Sequence, residues 1–216
     1  MKNIMFIAPP AAGKGTQAEL VVEEFNVPHI STGEILREVS KEDSEVGHYV
    51  SETLKSGNLV KDEITYQLVK ERLKRDDCKN GYIIDGFPRN IEQAIEYDKI
   101  LNELGYDVGN VILIDVAEDV LEKRITGRRL CENCGAAYNL NIASMVPKSE
   151  SSCDKCGGKL YQRSDDNLES FRVRYNTYKE KTEPIIDYYK KQGVLKTIDG
   201  DRPVEEINKD IRDIIK

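Results

Sequence analysis

The stretch that most constrains this chain is its first sixteen residues. An apolar run, Ile4 to Ala8, leads into Pro9-Pro10-Ala11-Ala12-Gly13-Lys14-Gly15-Thr16, and a helix-patterned segment follows from Gln17 to Phe25. A strand, a tight loop of small residues, a lysine and a helix, in that order, build a phosphate cradle. Loop N–H groups turn inward, the helix N-terminus adds partial positive charge, and the lysine neutralises a terminal phosphate. The implied ligand is a nucleoside triphosphate. The match to G-x-x-x-x-G-K-S/T is incomplete. Ala8 stands at the first glycine, and Gly15-Thr16 brings the hydroxyl one residue late. Pro9, Pro10 and Ala11 stiffen the loop, and the prolines offer it no N–H donors. By itself the loop fits an ordinary strand-to-helix turn equally well, so the rest of the chain decides.

At 216 residues the chain can bury a core without disulfide or metal staples, as one domain or as one core domain with insertions. It carries 39% hydrophobic and 33% charged residues, the balance of a water-soluble fold. No run of about 18 apolar residues is present to span a membrane. The first residues lack a signal-peptide cleavage pattern, so the expected location is cytoplasmic. A net charge of −7 argues against a general nucleic-acid binder. Yet Arg124, Arg128, Arg129, Arg163, Arg172 and Arg174 concentrate in the second half. A basic cluster on an acidic protein suits a small anionic ligand; the plainer reading is solvated helix faces.

Short β-branched blocks at Ile4–Ile7, Tyr82–Ile84 and Val111–Val116, with weaker ones at Val27–Ile30 and Val194–Ile198, read as buried strands. Helical periodicity fills the intervals: Glu63–Lys74, Ile91–Leu104 with Gly105 as C-cap, Ala117–Ile125, Leu168–Gln192 broken or restarted at Pro184, and Val204–Ile215. Strands alternating with helices predict an α/β fold: a central parallel sheet in three layers, with ligands at the C-terminal strand edge. Gly13, Asp85 and Ala117 all follow strands on that edge. Two segments interrupt the alternation and read as insertions over it: short helices from Ser31 to Lys61, and a loop-rich stretch from Gly127 to Asp166.

The second interruption holds Cys131-x-x-Cys134 and Cys153-x-x-Cys156, eighteen residues apart. That spacing belongs to a structural four-thiolate zinc ribbon, with glycines behind each pair to form the turns. Iron in the same tetrahedron and two disulfides are the alternatives; a reducing compartment disfavours the disulfides. Cys78 reads as a plain, partly buried thiol.

Gly81-Tyr82-Ile83-Ile84-Asp85-Gly86-Phe87-Pro88-Arg89, taken with the Ala8–Thr16 loop, Ser31-Thr32-Gly33 and Gly127-Arg128-Arg129, closely resembles adenylate kinase over the whole chain. The cysteine-bearing insertion resembles the long bacterial form whose lid carries zinc. The resemblance implies a P-loop fold with a core of residues 1–30, 61–126 and 167–216, a helical AMP-binding insertion at 31–60 and a zinc lid at 127–166. It implies a nucleoside monophosphate kinase: reversible, Mg2+-dependent phosphoryl transfer from ATP to AMP, giving two ADP, by a cytoplasmic monomer. Such transfer needs positioning and electrostatics more than covalent chemistry, and arginines offer planar donor forks to phosphate oxygens.

The same resemblance implies roles. Ala11, Ala12, Gly13, Lys14, Gly15 and Thr16 wrap the ATP phosphates, and Arg128, Ala137, Tyr138 and Arg202 complete the ATP site. Thr32, Arg37, Asn58, Leu59, Val60, Gly86, Phe87, Pro88, Arg89 and Gln93 hold AMP, with Gln93 reading the adenine edge. Arg124 and Arg128 approach the phosphates from the far side. Arg163 and Arg174 clamp the transferring group as the lid closes about Gly127, Asp165 and Asp166 orient the lid arginines, and Asp85 holds Mg2+ through water. Structural Zn2+ falls to Cys131, Cys134, Cys153 and Cys156. His29 and His48 are expected to take no catalytic part.

Ala8 and Ala11 replace glycines of relatives, so either one strains the loop if its φ must be positive. Two other readings stay open at this point. One is a kinase for UMP or CMP. The other is a zinc-ribbon nucleotide- or nucleic-acid-binding protein whose phosphate loop has decayed.

Overall fold

A computed structural model describes residues 3–216, so the expected core segment 1–30 begins with two residues outside the described range. Five parallel strands form the centre: β1 (Ile4–Ile7), β2 (His29–Ser31), β3 (Ile83–Asp85), β4 (Asn110–Asp115) and a last strand, Leu195–Asp199, numbered β8 by its place in the chain. Their spatial order is β2-β3-β1-β4-β8, with Ile4 opposite both Ile83 and Asn110. All four β1 residues are buried. Alternate side chains feed opposite layers, as the two-residue strand period requires. Ile4 and Phe6 join one apolar cluster with Ile112, Ile114 and Phe171. Met5 and Ile7 join the other with Val111, Leu113, Tyr97 and Tyr189.

Nine α-helices are described: α1 (Lys14–Phe25), α2 (Thr32–Val39), α3 (Glu45–Lys55), α4 (Asp62–Leu73), α5 (Ile91–Leu104), α6 (Glu118–Gly127), α7 (Leu168–Thr177), α8 (Pro184–Lys191) and α9 (Val204–Ile215). α1 starts three residues before the expected Gln17, drawing Lys14 into its first turn, because the small residues ahead of Gln17 carry no periodic signal. The expected long helix after Leu168 divides at Pro184. The proline has no N–H to continue the ladder, and a π-turn, Tyr178–Thr182, precedes it, closed by Glu183 N–H donating to Tyr178 C=O at 2.8 Å. Two short 3-10 turns, Asp76–Asn80 and Ala143–Met145, were not foreseen.

Residues 128–161 form a second, antiparallel sheet of β5 (Arg128–Cys131), β6 (Ala137–Asn139) and β7 (Leu160–Tyr161), ordered β6-β5-β7. Its apolar core is small: Cys131, Ala136, Cys153 and Leu160, with Tyr138 against them. Among the described residues no helix is long and apolar enough to cross a membrane.

Candidate active site

The C-terminal ends of β1, β2 and β3 deliver the loop before α1, the start of α2 and the Asp85–Arg89 turn to one cleft. α2 and α3 wall it on one side, and the small sheet on the other. A cavity of about 520 Å³ runs through it. All six expected loop residues, Ala11 to Thr16, line it. So do Arg37, Asn58, Asp85, Arg89, Arg124, Arg128, Ala137, Tyr138, Arg163, Arg174 and Arg202, which come from every segment the motifs singled out. A smaller cavity of about 90 Å³ adjoins at Lys14, Arg89 and Arg174, with Leu59, Gly86 and Pro88 in its wall. Thr32, Val60, Phe87 and Gln93 line neither cavity and are buried, at 3%, 5%, 1% and 2% exposure.

The loop departs from expectation in one instructive way. Ala11 has φ +66°, whereas Ala8 is absent from the described residues with positive φ. The strain foreseen for the two alanines therefore falls on position 11 alone. No side chain caps the start of α1, which leaves its first N–H groups for a ligand.

Cations dominate the cleft. Burial pushes the Lys14 ammonium down to about 8, assisted by Arg89, Arg174 and Arg128 and opposed by Asp85. Its Nζ donates to the Ala8 carbonyl at 3.3 Å. Burial likewise lowers Arg37, and Arg174 too, to about 10. Two carboxylates hold the guanidinium groups apart. Asp165 accepts from Arg163 Nε and Nη2 at 2.9 and 2.6 Å and from Arg174 Nη1 at 3.1 Å. Asp166, 4% exposed, accepts from Arg128 Nε at 2.8 Å and from Arg128 Nη2. Arg124 stands apart: it donates to the Gly200 carbonyl at 3.0 Å and pairs with Asp201, at the end of the cavity where Arg202 lies.

Asp85 ends β3 with 8% exposure. Burial works against its charge, but the hydrogen bond from His29 and the nearby Lys14 hold its pKa below the ordinary value. His29 Nε2 lies 2.9 Å from Asp85 Oδ2; burial opposes its protonation, yet Asp85 outweighs this and raises its pKa. Nothing in the sequence marked His29 except its position before Ser31-Thr32. Arg89 donates through Nε to the Gly86 carbonyl at 2.6 Å. Position 86 must be glycine, since a Cβ there would lie 2.7 Å from Thr32 Oγ1 and 3.0 Å from Arg89 Nη2. Phe87 anchors the turn edge-to-face against Tyr97 and Tyr66, with centroids 5.6 and 6.3 Å apart. Ser144 and Met145, also lining the large cavity, had no motif to announce them.

The four cysteine sulfurs lie within 4.8 Å of one another. Cys131 and Cys156 approach to 3.5 Å, and Cys134 and Cys153 to 3.6 Å. These separations are far beyond a disulfide and close to the ~3.8 Å edge of a tetrahedron with ~2.3 Å metal–sulfur bonds. Tyr138 places its hydroxyl 3.3 Å from Cys153 Sγ and accepts from Asp154 N–H at 2.9 Å. The Tyr138 bond draws the Cys153 thiol down to about 6. For Cys156 a backbone hydrogen bond at Gly158 also pulls down, but the bonds with Cys134 and Cys131 prevail and push it up to about 12. Full ionisation of the set needs a cation, so the donors fit a structural zinc. Cys78 is buried outright, against Arg72.

A phosphate loop with its lysine, opposed across one cleft by arginines from both insertions and the core, defines a phosphotransferase working between two phosphate-bearing ligands. A model of the adenylate kinase family matches residues 6–194. The chain is 48% identical over 214 residues to an adenylate kinase of Archaeoglobus fulgidus, covering 99% of this chain and 98% of that one. Against one from Thermosipho africanus it is 48% identical, with 99% of each chain covered. Against one from Caldanaerobacter subterraneus subsp. tengcongensis it is 47% identical over 210 residues, covering 97% and 94%. This chain belongs to the adenylate kinase family and is a nucleoside monophosphate kinase. The alternative of a zinc-ribbon binding protein with a decayed loop is not favoured.

Proposed function

We propose that the chain catalyses ATP + AMP ⇌ 2 ADP with Mg2+, as a cytoplasmic monomer built of the 1–30/61–126/167–216 core, the 31–60 AMP-binding insertion and the 127–166 lid. The observation that carries this reading is the convergence of Lys14, Arg89, Arg128, Arg163 and Arg174 on two adjoining cavities inside an acidic protein. Two polyphosphate chains laid end to end repel each other; this set neutralises them and fixes the reacting oxygens in line.

Ala11–Thr16 hold the ATP phosphates, and Lys14 faces the transferring group. Ala137, Tyr138, Arg124 and Arg202 take the nucleoside end. Arg124 moves to that role from the phosphates because its partners are the Gly200–Asp201 loop. Thr32, Arg37, Asn58–Val60 and Gly86–Arg89 hold AMP, and Gln93 reads its base. Arg163 and Arg174, spaced by Asp165, stabilise the charge spread over the moving phosphoryl group. Closure of both insertions excludes water, which would otherwise compete as acceptor. The Asp85 carboxylate in the cleft would hold Mg2+ through water, and the ion would supply neutralisation of phosphate charge there. Zinc in the cysteine cage supports the lid and takes no part in transfer.

The test is ADP formation from ATP with AMP, CMP, UMP or GMP as acceptor in the presence of Mg2+. Fast turnover confined to AMP is expected. A preference for UMP or CMP would overturn the assignment of acceptor. Sedimentation of the same sample reports the oligomeric state.

A further inference from the structure

Asp62, at the head of α4, matched no motif, yet it organises the residues behind the monophosphate pocket. One carboxylate oxygen accepts from Gln93 Nε2 at 2.6 Å. The other accepts from Asn90 Nδ2 at 3.1 Å. Asn90 in turn caps α5, its Oδ1 accepting from Gln93 N–H at 2.7 Å. The opposite end of the Gln93 side chain is also held: Arg89 N–H donates to Gln93 Oε1 at 2.7 Å.

These partners fix the polarity of the Gln93 amide. A carboxylate only accepts and a backbone N–H only donates. Turning the amide over would set oxygen against carboxylate and NH2 against N–H, two mismatches in a side chain 2% exposed. Each amide end keeps one free valence: one N–H and one lone pair, in a fixed order. An aminopurine offers an N–H donor at position 6 beside a ring-nitrogen acceptor. A 6-oxopurine offers the reverse, an acceptor at position 6 beside a ring N–H. A side-chain amide locked in one sense pairs with only one of these edges while the ring stays in place.

We propose that Asp62 is a specificity-determining positioning residue: by locking the Gln93 amide it sets the choice of 6-aminopurine over 6-oxopurine monophosphates. The inference rests on Gln93 being the base reader. Asp62 itself touches no base; it acts through Gln93.

The experiment compares kcat/KM for AMP and for inosine monophosphate in the wild type, Asp62→Asn, Asp62→Ser and Gln93→Leu, with KM for ATP and melting temperature measured alongside. Asn and Ser at position 62 present a donor as readily as an acceptor, so turning the Gln93 amide then costs one mismatch, against the Arg89 N–H, instead of two. The AMP-to-inosine ratio is expected to fall about tenfold in both, the size of one charge-assisted hydrogen bond, with KM for ATP unchanged. Two variants guard against one failing to fold. An unchanged ratio in either folded variant, while Gln93→Leu lowers it, overturns the role of Asp62 and leaves Gln93 as reader. An equal loss toward both acceptors does the same, since it marks plain structural damage. An unchanged ratio in Gln93→Leu overturns the reader and the inference together.

Discussion

Ala11 carries a methyl group at φ +66°, a conformation that glycine adopts freely. The left-handed region costs an L-residue about 1–2 kcal/mol. Glycine's extra freedom in the unfolded chain offsets about 0.4–1 kcal/mol of that. Ala11→Gly should therefore gain roughly 0.5–1 kcal/mol, raising the melting temperature by about 1–4 °C. Ala8→Gly should lower it, because Ala8 packs in the core with no such strain to relieve. A calorimetric scan in which Ala11→Gly melts no higher than the parent would refute the strain argument. Lys14 gives a second handle. Its pKa of about 8 means the free enzyme loses this positive charge above that pH. kcat/KM for ATP should decline through pH 8, and the profile of Lys14→Arg should lack that limb because guanidinium does not titrate there. The stability linkage has the opposite sign: between about 8 and the ordinary lysine value of 10.5 the unfolded chain holds more protons, so this group's contribution to stability rises with pH. Activity and stability moving in the same direction across that window would remove Lys14 as the cause.

The elements differ in how openly the sequence declares them. β1 and the middle four residues of β4 are buried on both faces and therefore appear as unbroken apolar runs, visible without any structure. β5, β6 and β7 do not: four, three and two residues long, they form a sheet whose core is half cysteine, and no alternation survives at that length. The cysteine spacing was legible, and so was the set of arginines, because phosphate chemistry demands those residue types. Asp62, Asn90 and His29 were not, because each acts by holding another side chain and a polar residue near a helix or strand end looks the same whether or not it does. This small sheet also bears directly on stability. An apolar core of four residues is far too little to order some forty residues unaided, and the zinc proposed for the four-cysteine cage would supply the rest. Chelation should lower the melting temperature while ADP formation at low temperature persists. Immediate loss of activity in the cold, with the fold intact by circular dichroism, would instead give the metal a catalytic part.

Across the whole molecule, the helical insertion and α7 meet at Gly57. It follows α3 at φ +75°, and an added Cβ would lie 3.3 Å from Arg174 Cγ and 3.4 Å from Ser170 O and Val173 Cγ1. Arg174 belongs to the cation cluster and pairs with Asp165, which also holds Arg163. Crowding at position 57 thus acts where the proposed AMP-binding insertion meets α7 and, through Arg174 and Asp165, the proposed lid. Gly57→Ala should cost about 1–2 kcal/mol of stability from backbone strain. It should also raise KM for AMP roughly fivefold, about 1 kcal/mol, by holding the insertion off α7. KM for ATP should move much less, since the phosphate loop lies on the core. Gly105→Ala separates the two effects: its φ of +70° brings the same strain, but nothing lies within 4 Å of the added methyl. That variant should lose stability alone. If Gly105→Ala raised KM for AMP as much as Gly57→Ala does, general destabilisation would explain both, and the contact between insertion and α7 would have no special part in closure.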